Sequence, residues 1–154
     1  KTQSNEKSNI IILDQLEDAQ NVGAIFRSAL AFNIDGIILT ENYSVGENHF
    51  IAKTACGGID KVSFTTVSNL STAIKVLKEN GYWAYGLDGS GDKLITNTKF
   101  ADKSIFIFGS ESDGMRHFTK SQCDEIVKID INNDLESLNV SNSAAVLFFH
   151  LNNR

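Results

Sequence analysis

Two runs in this chain, Ile10-Ile11-Ile12-Leu13 and Ile105-Phe106-Ile107-Phe108, are apolar at every position. A strand with one wet face alternates apolar and polar residues. A strand without alternation is covered on both faces, as in a parallel sheet sandwiched between helices. The rest of the chain follows the same logic. Strands are expected over Ile10 to Asp14, Gly36 to Glu41, Val62 to Val67, Tyr82 to Asp88, Ser104 to Ser110 and Glu125 to Ile131. Between and after them fall helical patterns: one opening at Asn21, one in ENHFIAKTACGG (residues 47–58), one over Leu70 to Gly81, a short one in DGMRHFTKSQC (residues 113–123), and a last one from about Ser137. This alternation predicts an α/β domain built on a mostly parallel sheet with helices on both faces.

With 154 residues the chain suits one domain and buries a core without staples. No apolar run approaches the roughly 18 residues of a membrane span. Cys56 and Cys123 lie far apart with no metal-ligand spacing, which points to a reduced, cytoplasmic setting and no metal. A formal charge of −5 argues against holding nucleic acid by bulk electrostatics, but leaves room for a local patch. The lead KTQSNEKSN, residues 1–9, reads as a polar linker or the remnant of an upstream domain, and 10–154 as the folded unit.

Ligands of open α/β sheets bind beyond the carboxyl ends of the strands. Four segments there carry chemistry: DQLEDAQN, GLDGSGD, GSESDGM and NNDLESLNVSNS. None matches GxGxxG or GxxxxGK[ST], so the common phosphate loops are absent. Asn21 is placed to cap the first helix. On a wheel at about 100° per residue, Val22, Ile25, Phe26, Ala29, Leu30 and Phe32 form an apolar stripe. Gly23, Ala24, Arg27, Ser28 and Ala31 form a smooth opposite face, out of which stands one guanidinium. Arg27 is either a structural arginine paired with Glu17 or Glu111, or a cation at the edge of a ligand. Gly109 and Gly114 flank Glu111, either as turn residues or as points of close backbone approach. Ser137, Asn139, Ser141, Asn142 and Ser143 are more polar groups than one helix start needs. His49, His117 and His150 sit in unrelated contexts and read as structural or surface residues.

Taken together, NVGAIFRSA, FGSESDGM and SLNVSNSAA, in that order and each after a strand, resemble the three motifs of the SpoU (TrmH) family of RNA ribose 2′-O-methyltransferases. KTACGG, GMRHFT and QCDEIV are most similar to its branch acting on a guanosine of large-subunit (23S) ribosomal RNA. The resemblance implies the SPOUT fold with a C-terminal trefoil knot, an exception to the rule that chains do not thread. It also implies S-adenosylmethionine (SAM) as cofactor, a homodimer joined through the first and last helices, and an RNA substrate. Its cofactor positions fall on Leu87, Gly109, Ser110, Glu111, Gly114, Ile129, Ile131 and Leu138, and its catalytic positions on Arg27, Asn21, Glu111, Asn139 and Ser137. The smooth face with Arg27 would then meet the partner subunit and the RNA. Two other outcomes are compatible with the motifs: a transfer-RNA guanosine 2′-O-methyltransferase, and a catalytically silent RNA-binding or assembly module. The chain departs from the family pattern at Ala19 and Asp130, where proline is common, and at Ser112 and Asn133, where glycine is. Asn133 is expected to substitute through a left-handed backbone.

Overall fold

The computed structural model describes residues 6–40, 61–110 and 114–154. Strands β1 (Ser8–Leu13), β2 (Gly36–Thr40), β3 (Phe64–Val67), β4 (Trp83–Leu87), β5 (Lys93–Leu94), β6 (Lys103–Phe108) and β7 (Glu125–Lys128) form one sheet in the order β3-β2-β1-β6-β4-β7-β5. Every pairing is parallel. The helices are α1 (Ala19–Ala31), α2 (Leu70–Glu79), α3 (His117–Ser121) and α4 (Val140–Asn152), with one 3₁₀ turn at Ile95–Asn97.

The unbroken apolar runs are explained by the two faces. Ile11, Leu13, Tyr85, Phe106 and Phe108 pack with Val22, Ile25, Phe26 and Ala29 of α1 and with Ala144, Leu147 and Phe148 of α4. Their neighbours Ile12, Ala84, Ile105 and Ile107 point the other way, to Leu70 and Ile74 of α2 and to Met115. Period-2 geometry sends successive residues to opposite faces, so both must be apolar when both are covered. At the amino end of the sheet polar groups are tied up internally. Ser8 N donates to the Asp102 carbonyl (2.8 Å), Ser8 and Tyr82 hydroxyls meet at 2.7 Å, and Ala101 N donates to the buried Tyr85 hydroxyl at 3.0 Å. Tyr85, Phe100 and Phe106 pack ring on ring at 4.8 to 5.4 Å around it.

Several elements differ from the sequence reading. β1 starts at Ser8, two residues into the polar lead, because Ser8 and Asn9 still pair with Lys103 and Ser104. Asp18, not Asn21, caps α1: its carboxylate accepts from Gln20 N (2.8 Å) and Asn21 N (3.3 Å), which puts Asn21 inside the first turn. Leu30, assigned to the buried stripe, is 38% exposed. α4 starts at Val140 rather than Ser137, with Asn139 as its cap, and β7 ends at Lys128 because the chain there leaves the sheet. Asn133 is not left-handed; the described non-glycine residues with positive φ are Gln15 and Asn33. β5 and the 3₁₀ turn have no counterpart among the expected elements. The helix expected in residues 47–58 lies outside the described residues, as do His49 and Cys56.

β4 and β5 are consecutive strands joined by residues 88–92, yet the later strand β7 lies between them. The joining loop crosses the end of β7 at contact distance: a Cβ on Gly91 would stand 2.8 Å from the Val127 carbonyl carbon. Glycine is required there by close backbone approach. Among the described residues no helix is long and apolar enough to cross a membrane.

Candidate functional site

At the carboxyl ends of β4, β6 and β7 three loops enclose a cavity of about 500 Å³. Leu87, Asp88 and Gly89 come from the first loop. Phe108, Gly109, Ser110, Gly114 and Met115 come from the second, and residues from Lys128 to Val140 from the third. This is the strand-end location expected for α/β sheets. The third loop is pinned internally, with Asp134 N donating to Asn132 Oδ1 at 2.7 Å and Leu135 N to the Asn132 carbonyl at 3.1 Å.

The second wall depends on glycine. A Cβ on Gly109 would lie 2.1 Å from Met115 N and 2.2 Å from the Gly114 carbonyl carbon, so the chain folds directly against itself. Ser110 and Gly114 close that turn with two backbone hydrogen bonds of 3.1 and 2.9 Å, and Gly114 has φ +67°. Gly114 therefore avoids the strain a side chain would feel in the left-handed region. In the first wall, burial alone would raise the Asp88 carboxyl pKa. Hydrogen bonds from Ser90 N (2.9 Å) and Ser90 Oγ (2.8 Å) and the Lys120 ammonium at 3.8 Å outweigh it and hold Asp88 below the usual carboxylate range. In the third, Asn139 accepts from Ser141 N at 2.9 Å and so aligns the start of α4 with the cavity.

Of the residues proposed from sequence, Leu87, Gly109, Ser110, Gly114, Ile129, Ile131, Ser137, Leu138 and Asn139 all line this one cavity. Glu111 and Ser112 lie outside the described residues. Asn21 and Arg27 are not among the lining residues. Asn21 is 8% exposed and engaged, whereas Arg27 stands exposed on α1 and makes no ion pair or hydrogen bond with another described residue. A pairing of Arg27 with Glu17 is thus not found. Asp130 and Asn133, the departures from the family pattern, also line the cavity.

Four residues here were missed by sequence reasoning. Asp14, 1% exposed after the end of β1, receives the Arg116 guanidinium through Nη2 (2.7 Å) and Nε (3.0 Å). Asp88 and Lys120 form a second pair on the rim of the first wall. The signal for both aspartates was available, since each is the first residue after a strand. Cys123, by contrast, is chemically quiet: burial, reinforced by Asp124, pushes its thiol up to about 12. His150 packs edge-on against Phe100 at 6.1 Å, as a structural residue. No group of metal-ligating side chains occurs among the described residues.

A parallel sheet with a glycine-walled cavity built by three strand-end loops, closed by a capped helix, defines an α/β domain of the ligand-binding, strand-end class. The family model for the SpoU rRNA Methylase family matches residues 8–149, and the chain belongs to that family. It is 37% identical over 138 residues to a 23S rRNA (guanosine-2′-O-)-methyltransferase RlmB of Neisseria meningitidis, covering 90% of this chain and 55% of that protein. It is also 37% identical to an uncharacterized tRNA/rRNA methyltransferase of Borreliella burgdorferi, covering 95% of this chain and 64% of that one. The chain thus spans a little over half the length of the curated relatives it matches. Among solved structures, the SpoU methyltransferase AviRb from Streptomyces viridochromogenes, in complex with AdoMet, superposes with a TM-score of 0.87 at 20% identity, over 96% of this chain and 58% of that one.

Proposed function

We propose that the chain is the catalytic domain of a SAM-dependent ribose 2′-O-methyltransferase acting on structured RNA in the cytoplasm, with a guanosine of 23S ribosomal RNA as its target. The observation that carries this reading is the convergence of nine residues proposed from sequence, six of them in the second and third motifs, on one cavity of about 500 Å³. That volume suits a ligand of SAM's size. The residues fit the cofactor: Gly109 leaves bare backbone where a side chain would fill the space, and Leu87, Ile129, Ile131 and Leu138 supply apolar surface beside the polar Ser110, Ser137 and Asn139. Held there by these residues, SAM would supply an electrophilic methyl on a sulfonium, whose C–S bond would break as the bond to the ribose 2′-oxygen forms.

The protein has to align the hydroxyl and stabilise charge as its proton leaves. Arg27 is assigned that task. A guanidinium stays protonated, so it acts by orienting the 2′-oxygen and neighbouring phosphate and by stabilising the developing alkoxide, while the hydroxyl proton passes to that RNA phosphate and on to water. Asn21 and Asn139 hold the arginine and the ribose, with Ser137 beside them, and Glu111 fixes the arginine or its loop. Arg27 is absent from the cavity of its own chain, which supports supply from a second subunit. α1 and α4 pack together, with Phe32 against Phe149 at 5.7 Å, and leave Leu30, Val146 and Phe149 exposed, which supports a homodimer joined through these two helices. The insertion of β7 between β4 and β5 supports the trefoil knot, since the chain beyond Lys128 has to clear the 88–92 loop.

The test is calorimetry with SAM on the stripped protein, followed by transfer of labelled methyl to 23S ribosomal RNA fragments. Saturable heat and incorporation lost on 2′-O-methylated guanosine are expected. Heat without transfer to any RNA would establish a silent module, transfer confined to transfer RNA would move the substrate, and no heat would overturn the reading. Sedimentation tests the dimer: monomer alone at tens of micromolar would remove the shared site.

A further inference from the structure

The rim of the cavity carries a feature the cofactor reading does not use. Asp14 is a carboxylate taken almost wholly out of water at the end of β1, and burying such a charge is costly unless it is paired. Its partner is a surface residue: the Arg116 side chain is 49% exposed, with Nε and Nη2 held and Nη1 making no bond to another described residue. One buried acid thus fixes the direction of a guanidinium that still faces solvent. Four residues on, Lys120 is fixed in turn, its ammonium 2.7 Å from Ser90 Oγ and 3.8 Å from Asp88. Arg116 therefore sits at the end of β1 and Lys120 at the end of β4. These strands flank β6, so α3 bridges strand ends about 10 Å apart. Between the two cations in sequence is Phe118, 64% exposed, the most exposed of the large apolar side chains described. Thr119, next to it, is buried and anchors the helix.

An aromatic ring left in water on the same short helix as two immobilised cations matches the chemistry of a single-stranded nucleic acid, which offers bases to stack and phosphates to neutralise. Among the described residues, the carboxylates Asp14 and Asp88 are engaged by these cations, so these two do not add the repulsion of a polyanion that the net charge of −5 would suggest. Gly114 and Met115, immediately before Arg116, line the cavity. We propose that the α3 rim, Arg116, Phe118 and Lys120, grips the RNA strand beside the nucleotide being methylated: Phe118 stacks on an unpaired base, and Arg116 and Lys120 hold the backbone. This rests on the function proposed above and adds where its substrate lies.

The test is fluorescence anisotropy at low salt with a short fluorescein-labelled single-stranded RNA containing guanosine, run beside SAM calorimetry on the same samples. Phe118→Ala is expected to weaken RNA binding about 5- to 100-fold, with SAM affinity unchanged. Phe118→Trp should restore binding and Phe118→Leu should not, because stacking needs a π face. Lys120→Gln should lower the slope of log affinity against log salt by about 0.7. Wild-type RNA affinity in Phe118→Ala, full rescue by leucine, or no RNA binding by the parent protein overturns the proposal. Loss of SAM heat in the parent overturns the function instead, so the two failures are told apart.

Discussion

The two ends of the sheet use the same kinds of residue to opposite effect. At the amino end, Ser8, Tyr82, Tyr85, Ala101 and Asp102 satisfy one another, and the Arg154 guanidinium closes the edge through the Phe100 carbonyl at 2.9 Å. At the carboxyl end, the chain keeps glycines, a left-handed turn and polar caps arranged around a cavity. The first end stores stability, and the second stores shape. Substitutions should therefore separate cleanly: ligand and rate effects at one end, melting temperature at the other.

The largest effect tests the carboxyl side through α1, which leaves that end. Arg27→Ala should cut methyl transfer by about 10² to 10³, with folding and SAM binding retained. Steady-state rates on ribosomal RNA fragments measure it, and Arg27→Lys should recover little because an ammonium lacks the planar fork. If the alanine variant unfolds, the arginine is a strut and the division between the two ends is false. Next comes Gly109→Ala. Its methyl group would overlap the backbone of Gly114 and Met115, so the turn must open. SAM should then no longer raise the melting temperature, although the sheet below still folds. A normal SAM shift would show that the close approach is dispensable.

Tyr85→Phe probes the opposite end. It strands the Ala101 N–H among the packed rings and should cost about 1 to 3 kcal/mol, read by urea unfolding, with SAM affinity unaltered. A change in SAM affinity of more than twofold would mean the two ends are coupled through β4. Smallest is Lys93→Met. The Lys93–Glu125 pair at 3.0 Å is exposed, and surface pairs of this kind contribute about 0 to 1 kcal/mol. Its unfolding midpoint should barely move, sharpening the contrast with Tyr85.

What could be read from sequence follows the same division. The double-sided burial of β1 and β6 was legible because both faces had to be apolar at every position. The cavity residues were legible because strand ends are where such sheets bind ligands, and the second and third motifs fell there; the first motif lines no part of the cavity. Less was legible where the answer depended on distant partners. Asp14 could be flagged by its place after a strand, but its partner Arg116 lies 102 positions away, and no local pattern announces that pairing. Asp18 and Asn21 are both good caps, and only the path of the chain out of β1 chooses between them. Leu30 belongs to the apolar stripe by periodicity, but the described core covers only part of that stripe and leaves Leu30 38% exposed. β5, two residues long, is defined by its pairing with β7 rather than by its own composition.

The position of β7 also sets an order of events during synthesis. A sheet that adds strands outward can settle as each one leaves the ribosome. Here β4 and β5 are complete while the strand that must lie between them is still to come. Their only bridge is then a gap, and neither has its final neighbour on that side. The most sequence-distant contacts form last and slowest, and the third loop of the cavity is part of that last piece. A nascent or truncated chain ending before Glu125 would possess most of the hydrophobic core and none of the binding competence. Ligand affinity in this molecule thus depends on the last strand and the loop that follows it, the pieces that complete the cavity.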